Sequence, residues 1–297
     1  MGILFIVLAC STWAVDTLIR YPLLGEASAL QIVFGEHLIL SVLFIPFFFK
    51  SVKKIWKMEV SHIFSFIIIG GMGSALGTLA FTAAFSKINP SLVILLQKLQ
   101  PLVAVSLARI VLKEPVQKKF LSWALLCLIG GILISYQDIF PGLMKLDFRA
   151  SFGNETAMWG YLLTLIAVVS WGASTVFGKK LELQGYSEFE VMGGRFWLGA
   201  IALIPVLISQ GEGLATGTEV WGKILALVAI SGLLGMWLYY HGLKKLSARL
   251  CALAEMFFPF CAVTVNWIFL GKTLDITQIV GGGLLLLGST VIQVKRY

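Results

Sequence analysis

The chain has 297 residues, 58% of them hydrophobic and only 13% charged, where a soluble domain carries roughly 25% charged residues. So few charges cannot cover a water-facing surface, which excludes an ordinary soluble globular protein and leaves a chain that faces lipid. The formal net charge of +8 is carried in short clusters between apolar runs, a pattern that orients membrane proteins and does not mark a nucleic-acid binder.

A spanning helix needs about 20 mostly apolar residues. Ten stretches qualify, at roughly 2–20, 30–49, 63–86, 91–112, 120–139, 157–178, 190–210, 221–243, 249–270 and 275–294. In the first, Val7-Leu8-Ala9-Cys10 looks like a lipoprotein cleavage site. The basic leader that such a site needs is missing, and the apolar run continues, so the segment is read as a spanning helix. The breaks carry turn or charge signals such as Tyr21-Pro22, Lys53-Lys54, Asn89-Pro90, Glu114-Pro115, Lys179-Lys180 and Lys244-Lys245. The four cysteines all lie in apolar runs, without metal-ligand spacing, and read as small buried hydrophobes.

Shifted by 158 residues, the chain lines up with itself. Trp13 falls on Trp171, Gly35 on Gly193, Gly77 on Gly235, Pro101 on Pro259 and Gly130 on Gly288. The organisation expected is a first five-helix unit at 1–140, a linker at 141–156 and a second unit at 157–297. Five is odd, so the second unit enters from the opposite side. The fold class expected is therefore an all-α polytopic membrane protein of ten transmembrane helices, built as two inverted five-helix repeats. With the N-terminus cytoplasmic, fourteen Lys and Arg residues fall on inner segments and six, Arg20 among them, on outer ones. The positive-inside rule thus favours two cytoplasmic termini in a plasma membrane, the inner membrane if the source is bacterial.

Ionisable and polar groups inside spanning helices mark pathways or internal pairs. Asp16 lies four residues before Arg20, a spacing that suits an ion pair. Glu36, His37, Lys98, Arg195 and Glu255 lie deeper. By the repeat, His37 corresponds to Arg195 and Gln97 to Glu255, so these groups are candidates to line a central cavity. The competing reading is internal salt bridging, for example between Glu36 and Lys98. Pro101 and Pro259 are matched helix-interior prolines, expected to kink the fourth and ninth helices beside that cavity. Trp13, Trp171 and Tyr240 are candidate aromatic walls. No catalytic, nucleotide-binding or metal-binding motif occurs, so no enzyme activity, cofactor or metal is expected. Transport would run on a gradient, with a proton relay through Glu36 and His37 as one option.

The order of these motifs resembles the drug/metabolite transporter superfamily in its EamA-type branch. The likeness rests on Ser11-Thr12-Trp13-Ala14 with Ser170-Trp171-Gly172-Ala173, on the proline-containing stretches from Pro101 to Pro115 and from Pro259 to Leu274, and on the glycine-containing helices around Gly130 and Gly288. Lys272 departs from the acidic residue the family often has there. The resemblance implies a central cavity lined by helices 1–4 and 6–9, with 5 and 10 more peripheral, and alternating access.

The function expected is secondary transport of a small polar or amphipathic metabolite, with an amino acid exporter as the specific form. Its partners would be that substrate and the lipid bilayer, and not nucleic acid, in a monomer or homodimer. Two rivals stand beside it. One is an exporter of cationic drugs or quaternary amines, which an aromatic box near a carboxylate would favour. The other is a non-transporting membrane protein with an assembly role.

Overall fold

The computed structural model describes residues 2–55, 60–113, 115–139, 155–243 and 257–295, and every regular element among them is helical. In chain order these are α1 (Gly2–Leu23), α2 (Ala29–Leu43), α3 (Ile45–Ile55), α4 (Val60–Ile67), a π-helical stretch Ile68–Leu76, α5 (Gly77–Phe85), α6 (Pro90–Leu96), a 3-10 turn Gln97–Leu99, α7 (Gln100–Val111), α8 (Lys119–Ile139), α9 (Glu155–Leu183), α10 (Glu188–Ser209), α11 (Thr218–Leu227), a second π-helical stretch Val228–Gly235, α12 (Met236–Leu243), α13 (Phe257–Leu270) and α14 (Ile276–Lys295). Six helical runs among the described residues are long and apolar enough to cross a membrane, and a seventh if α2 and α3 count as one bent span. Shorter apolar stretches lie in α8, α13 and α14. The chain is a multi-pass integral membrane protein. Of the joining segment, 141–154 lies outside the described residues.

Local sequence explains the breaks. α2 and α3 meet at 75°, with Phe44 at the corner and Pro46 in the first turn of α3; a proline there lacks the N–H that would continue α2. The sequence reading of one straight helix over 30–49 therefore ends early, at Leu43. Pro101 acts in the same way. The run from Pro90 is not smoothly kinked but interrupted by a 3-10 turn, and α7 starts afresh with Pro101 in its first turn. Pro259 lies on α13, and the residues before Phe257 lie outside the described residues. The two π stretches replace the continuous helices expected over 63–86 and 221–243, and both fall on glycine-containing runs at matching places in the two halves.

Contacts recur in reciprocal pairs. A Cβ placed on Gly77 would lie 2.9 Å from the Trp171 indole nitrogen, and one on Gly235 would lie 2.7 Å from that of Trp13. Trp171 packs on Phe81 at 4.9 Å between ring centroids, and Trp13 on Tyr239 at 5.5 Å. Both sets are related by 158 residues. So are the contacts between α8 and α14, where Gly130 abuts Gly281 and Leu285, while Gly288 abuts Trp123 and Cys127. Small residues let these backbones approach where apolar burial gives no driving force.

The offset is not uniform. α2 and α10 both open on a capping box, Ser28 with Gln31 and Ser187 with Glu190, and these are 159 residues apart. Gly35 meets Ile224 and Gly194 meets Phe66; Gly199 meets Ser74 and Leu40 meets Gly232. These contacts are reciprocal only if α10 is shifted by one further residue. Pro46 and Pro205 keep the same spacing. The extra residue falls in the turn before α10, where Gly185 takes φ 89°. The equivalence of His37 with Arg195 is therefore corrected: Arg195 corresponds to Glu36, and His37 to Phe196, whose ring it meets edge-on at 6.1 Å.

Candidate functional site

The 3-10 turn at Gln97–Leu99 organises the polar centre. Side chains three apart in such a turn eclipse each other, so Gln97 and Gln100 share a face while Leu99 is buried. All seven residues of α6 are buried and none of α7 is, so the run passes at this turn from packed core to open space. Two cavities meet here. One, of about 260 Å³, is lined by Gln97, Gln100, Trp171, Ser174, Thr175 and Arg195. The other, of about 370 Å³, shares Gln97, Gln100 and Thr175 and adds Lys98, Pro101, Ala104, Val105 and Tyr239. Gln100 Nε2 donates to Thr175 Oγ1 at 3.2 Å, and Lys98 Nζ lies 5.4 Å from the Phe258 ring. Among the described residues, the charged side chain lining the smaller cavity is Arg195 and that lining the larger is Lys98.

The corresponding place in the first half is filled. The Arg20 guanidinium donates to Asp16 through Nε (2.7 Å) and Nη2 (3.0 Å), to Glu36 through Nη1 (2.8 Å) and Nη2 (2.6 Å), and to Thr82 Oγ1 at 3.2 Å. Asp16 Oδ2 also accepts from Ser231 at 2.7 Å. All three charged side chains are buried. Two carboxylates on one planar guanidinium use its donors in bidentate fashion, the geometry that makes a buried charge tolerable. In the other half the counterparts of Asp16 and Arg20 are Ser174 and Gly178, and a Cβ on Gly178 would meet nothing within 4 Å. Where one half holds an arginine, the other is open.

This corrects two expectations. Arg20 is not on an outer connection; α1 runs on to Leu23 and buries it. Glu36 does not pair with Lys98, because Arg20 is nearer and saturates it. The Asp16–Arg20 pair is present.

His37 is buried, with Nδ1 2.7 Å from the Val33 carbonyl and Nε2 2.8 Å from Ser74 Oγ. A carbonyl only accepts, so Nδ1 carries a proton. Arg195 Nε donates to the same Ser74 hydroxyl at 3.4 Å, leaving that hydroxyl's own proton for His37 Nε2. Glu36 and His37 are thus held in separate hydrogen-bond sets.

The aromatic candidates are divided. Trp13 packs on Tyr239 and Phe258 and donates to the Ser231 carbonyl at 3.2 Å, while Trp171 packs on Phe81 and lines the smaller cavity. Tyr240 lies on α12, but its side chain, like all of Glu255, lies outside the described residues. Sequence reasoning missed Ser74, Thr82, Gln100 and Thr175, and the second carboxylate that Arg20 holds. The Asp16–Arg20 spacing and the Gln97–Gln100 spacing were the available signals. An apolar cavity of about 530 Å³ also went unforeseen; Phe44, Phe189, Met192 and Trp237 line it, with Glu188 and His241. Among the described residues, no group of His, Cys, Asp or Glu could hold a metal ion.

Comparison with known proteins gives a consistent picture. Residues 1–136 and again 158–294 match the EamA-like transporter family. The riboflavin transporter ImpX of Fusobacterium nucleatum is 29% identical, over 99% of this chain and 97% of its own. A probable amino-acid metabolite efflux pump of Salmonella typhimurium is 25% identical, over 73% of each chain. A solved crystal structure aligns with TM-score 0.57 at 16% identity, over 98% of this chain and 94% of that chain, a likeness of fold.

Proposed function

The chain belongs to the EamA-like transporter family, and from that premise we propose that it is a gradient-driven transporter of a small polar or amphipathic metabolite, not an enzyme, working by alternating access around the cavities at Gln97. The architecture that goes with this is ten transmembrane helices in two inverted five-helix repeats, 1–140 and 157–297, joined by 141–156, with both termini cytoplasmic and the protein monomeric or dimeric. The reciprocal contacts of Trp13 with Gly235 and Trp171 with Gly77 support it. In that orientation the Arg20 cluster closes the outer half, and the cavities reach toward the cytoplasm past Val105 and Tyr239.

The observation that carries this reading is the pair of polar cavities beside Arg195, set against its filled counterpart at Arg20. Alternating access requires such an inequality between halves that are otherwise alike. The names of the relatives put riboflavin and amino acids first as substrates. A purely structural assembly role gives no reason for polar side chains to line a cavity in the bundle. Proton coupling through Glu36 or His37 belongs to the same proposal and needs no cofactor.

The test is uptake into proteoliposomes of riboflavin and of a set of amino acids, with and without a pH gradient, for the wild type and for Lys98→Ala, Arg195→Gln and Glu36→Gln. Loss of uptake in the two cavity variants is expected. Wild-type rates in all three would remove the site assignment.

A further inference from the structure

Gln100 lines both polar cavities, and its carboxamide is held one way round. Nε2 donates to Thr175 Oγ1 at 3.2 Å. The Thr175 hydroxyl has one proton, and that proton is given to the Trp171 carbonyl at 2.9 Å. Thr175 therefore accepts from Gln100, and turning the amide over would set Oε1 against a lone pair. Gln100 Oε1 receives no donor among the described residues. It stays open to the cavities, whereas Gln97 Oε1, on the same face, is shut away from them. The second half holds no equivalent. At the 158-residue offset Gln100 corresponds to Phe258, which packs on Trp13, and Thr175 corresponds to Thr17, which is buried.

We propose that Gln100 is a specificity-determining residue: its Oε1 accepts from an N–H group of the substrate, and Thr175 is the positioning residue that keeps this acceptor turned to the cavity. This rests on the cavities being the substrate site. Two sources share the chemistry, the ammonium of an amino acid and the ring N–H of a flat heterocycle, for which the Trp171 indole offers a stacking face. A fully methylated nitrogen has no donor. It places methyl groups against Oε1 and leaves the acceptor desolvated and unpaired, the costly half of a lost hydrogen bond. Methylation of these nitrogens removes the donor without changing the charge. Lys98 and Arg195, which have further interactions of their own, therefore weigh equally on both members of such a pair.

Two pairs of probes test this on the purified full-length protein in detergent: leucine with N,N,N-trimethyl-leucine, and lumiflavin with N3-methyl-lumiflavin. Titration calorimetry reads the first pair and flavin fluorescence the second. At least one pair is expected to show about tenfold tighter binding of the N–H member, the scale of one acceptor losing its donor, and the pair that does so names the source of the donor. Gln100→Leu should bring that pair within about twofold. Thr175→Val, which frees the amide to turn, should cut the preference to about threefold, and Thr175→Ser should keep it whole. Should Gln100→Leu not fold, Thr175→Val at an unchanged thermal midpoint carries the test. Equal binding of both members of each pair by the wild type overturns the inference. So do binding of no probe, a preference that survives Gln100→Leu, and one left at full size by Thr175→Val. Failure of the cavities as the substrate site is seen separately: Arg195→Gln and Gln100→Leu would then both leave uptake of riboflavin and of amino acids unchanged.

Discussion

Cys127 and Leu285 are 158 residues apart, and the Cys127 thiol lies 3.7 Å from the Leu285 carbonyl oxygen. At that offset each residue of the pair is the other's counterpart. Around this point Gly130 and Gly281 face each other, and a Cβ on either would lie 2.6 to 2.7 Å from the other's carbonyl oxygen. Gly130→Val and Gly281→Val should each destabilise the fold by about 1–3 kcal/mol through overpacking. Gly283→Ala, whose Cβ meets nothing within 4 Å, should be silent. Thermal unfolding in detergent measures this, and equal midpoints for all three would argue against a packed α8–α14 seam.

Arg20 compensates two buried carboxylates at once. Arg20→Met leaves both uncompensated and should cost about 3–5 kcal/mol, the usual penalty for breaking a buried pair from one side. Removing the orphaned charges as well, in Asp16→Asn/Arg20→Met/Glu36→Gln, should recover more than half of the loss. A single variant that melts like the wild type would mean that the guanidinium is not holding α1, α2 and α5 together.

The repeat, the helical class and the polar character of the centre were legible because duplication and apolar length leave direct marks on a chain. The register of α10 was not. Gly193 and Gly194 are adjacent, so a shift of 158 or 159 looks equally good when glycines are matched by eye. The contacts of Gly194 with Phe66 and of Gly35 with Ile224 separate the two, and the spacing of Pro46 and Pro205 agrees with them. Arg20 was misplaced for a different reason. An arginine near a helix end reads as a connector charge, and its second carboxylate lies on α2, sixteen residues away. The π stretches are set by how long helices pack on their neighbours, which sequence periodicity does not encode.

The open and filled halves should differ in chemical accessibility. With Cys10, Cys127, Cys251 and Cys261 replaced, single cysteines at Thr175 and Gly178 should react with a membrane-impermeant maleimide in inside-out vesicles. One at Thr82, buried against Arg20, should be protected. Labelling of Thr175→Cys and Gly178→Cys only in right-side-out vesicles would reverse the proposed orientation of the termini. Labelling of Thr82→Cys in either preparation would mean that the Arg20 side is open.

The one-residue register shift makes Glu36 and Arg195 counterparts of opposite charge, and their surroundings assign them different work. Glu36 is spent on Arg20, so Glu36→Gln removes charge-assisted hydrogen bonds worth about 1.5–3 kcal/mol, and its first effect should be a lower thermal midpoint. Arg195 lines the cavity and donates to Ser74 Oγ at 3.4 Å. Arg195→Gln should lose uptake by at least about tenfold, beyond what any change in its midpoint accounts for, the effect of losing one good charged contact to a substrate. Arg195→Lys, which keeps the charge but not the planar fork, should fall between. Measuring midpoint and uptake for all three variants on one preparation separates the roles. Should Glu36→Gln lose transport at full stability while Arg195→Gln loses stability at full transport, the two halves would have to exchange their assigned parts, with the working charge on the Arg20 side of the bundle.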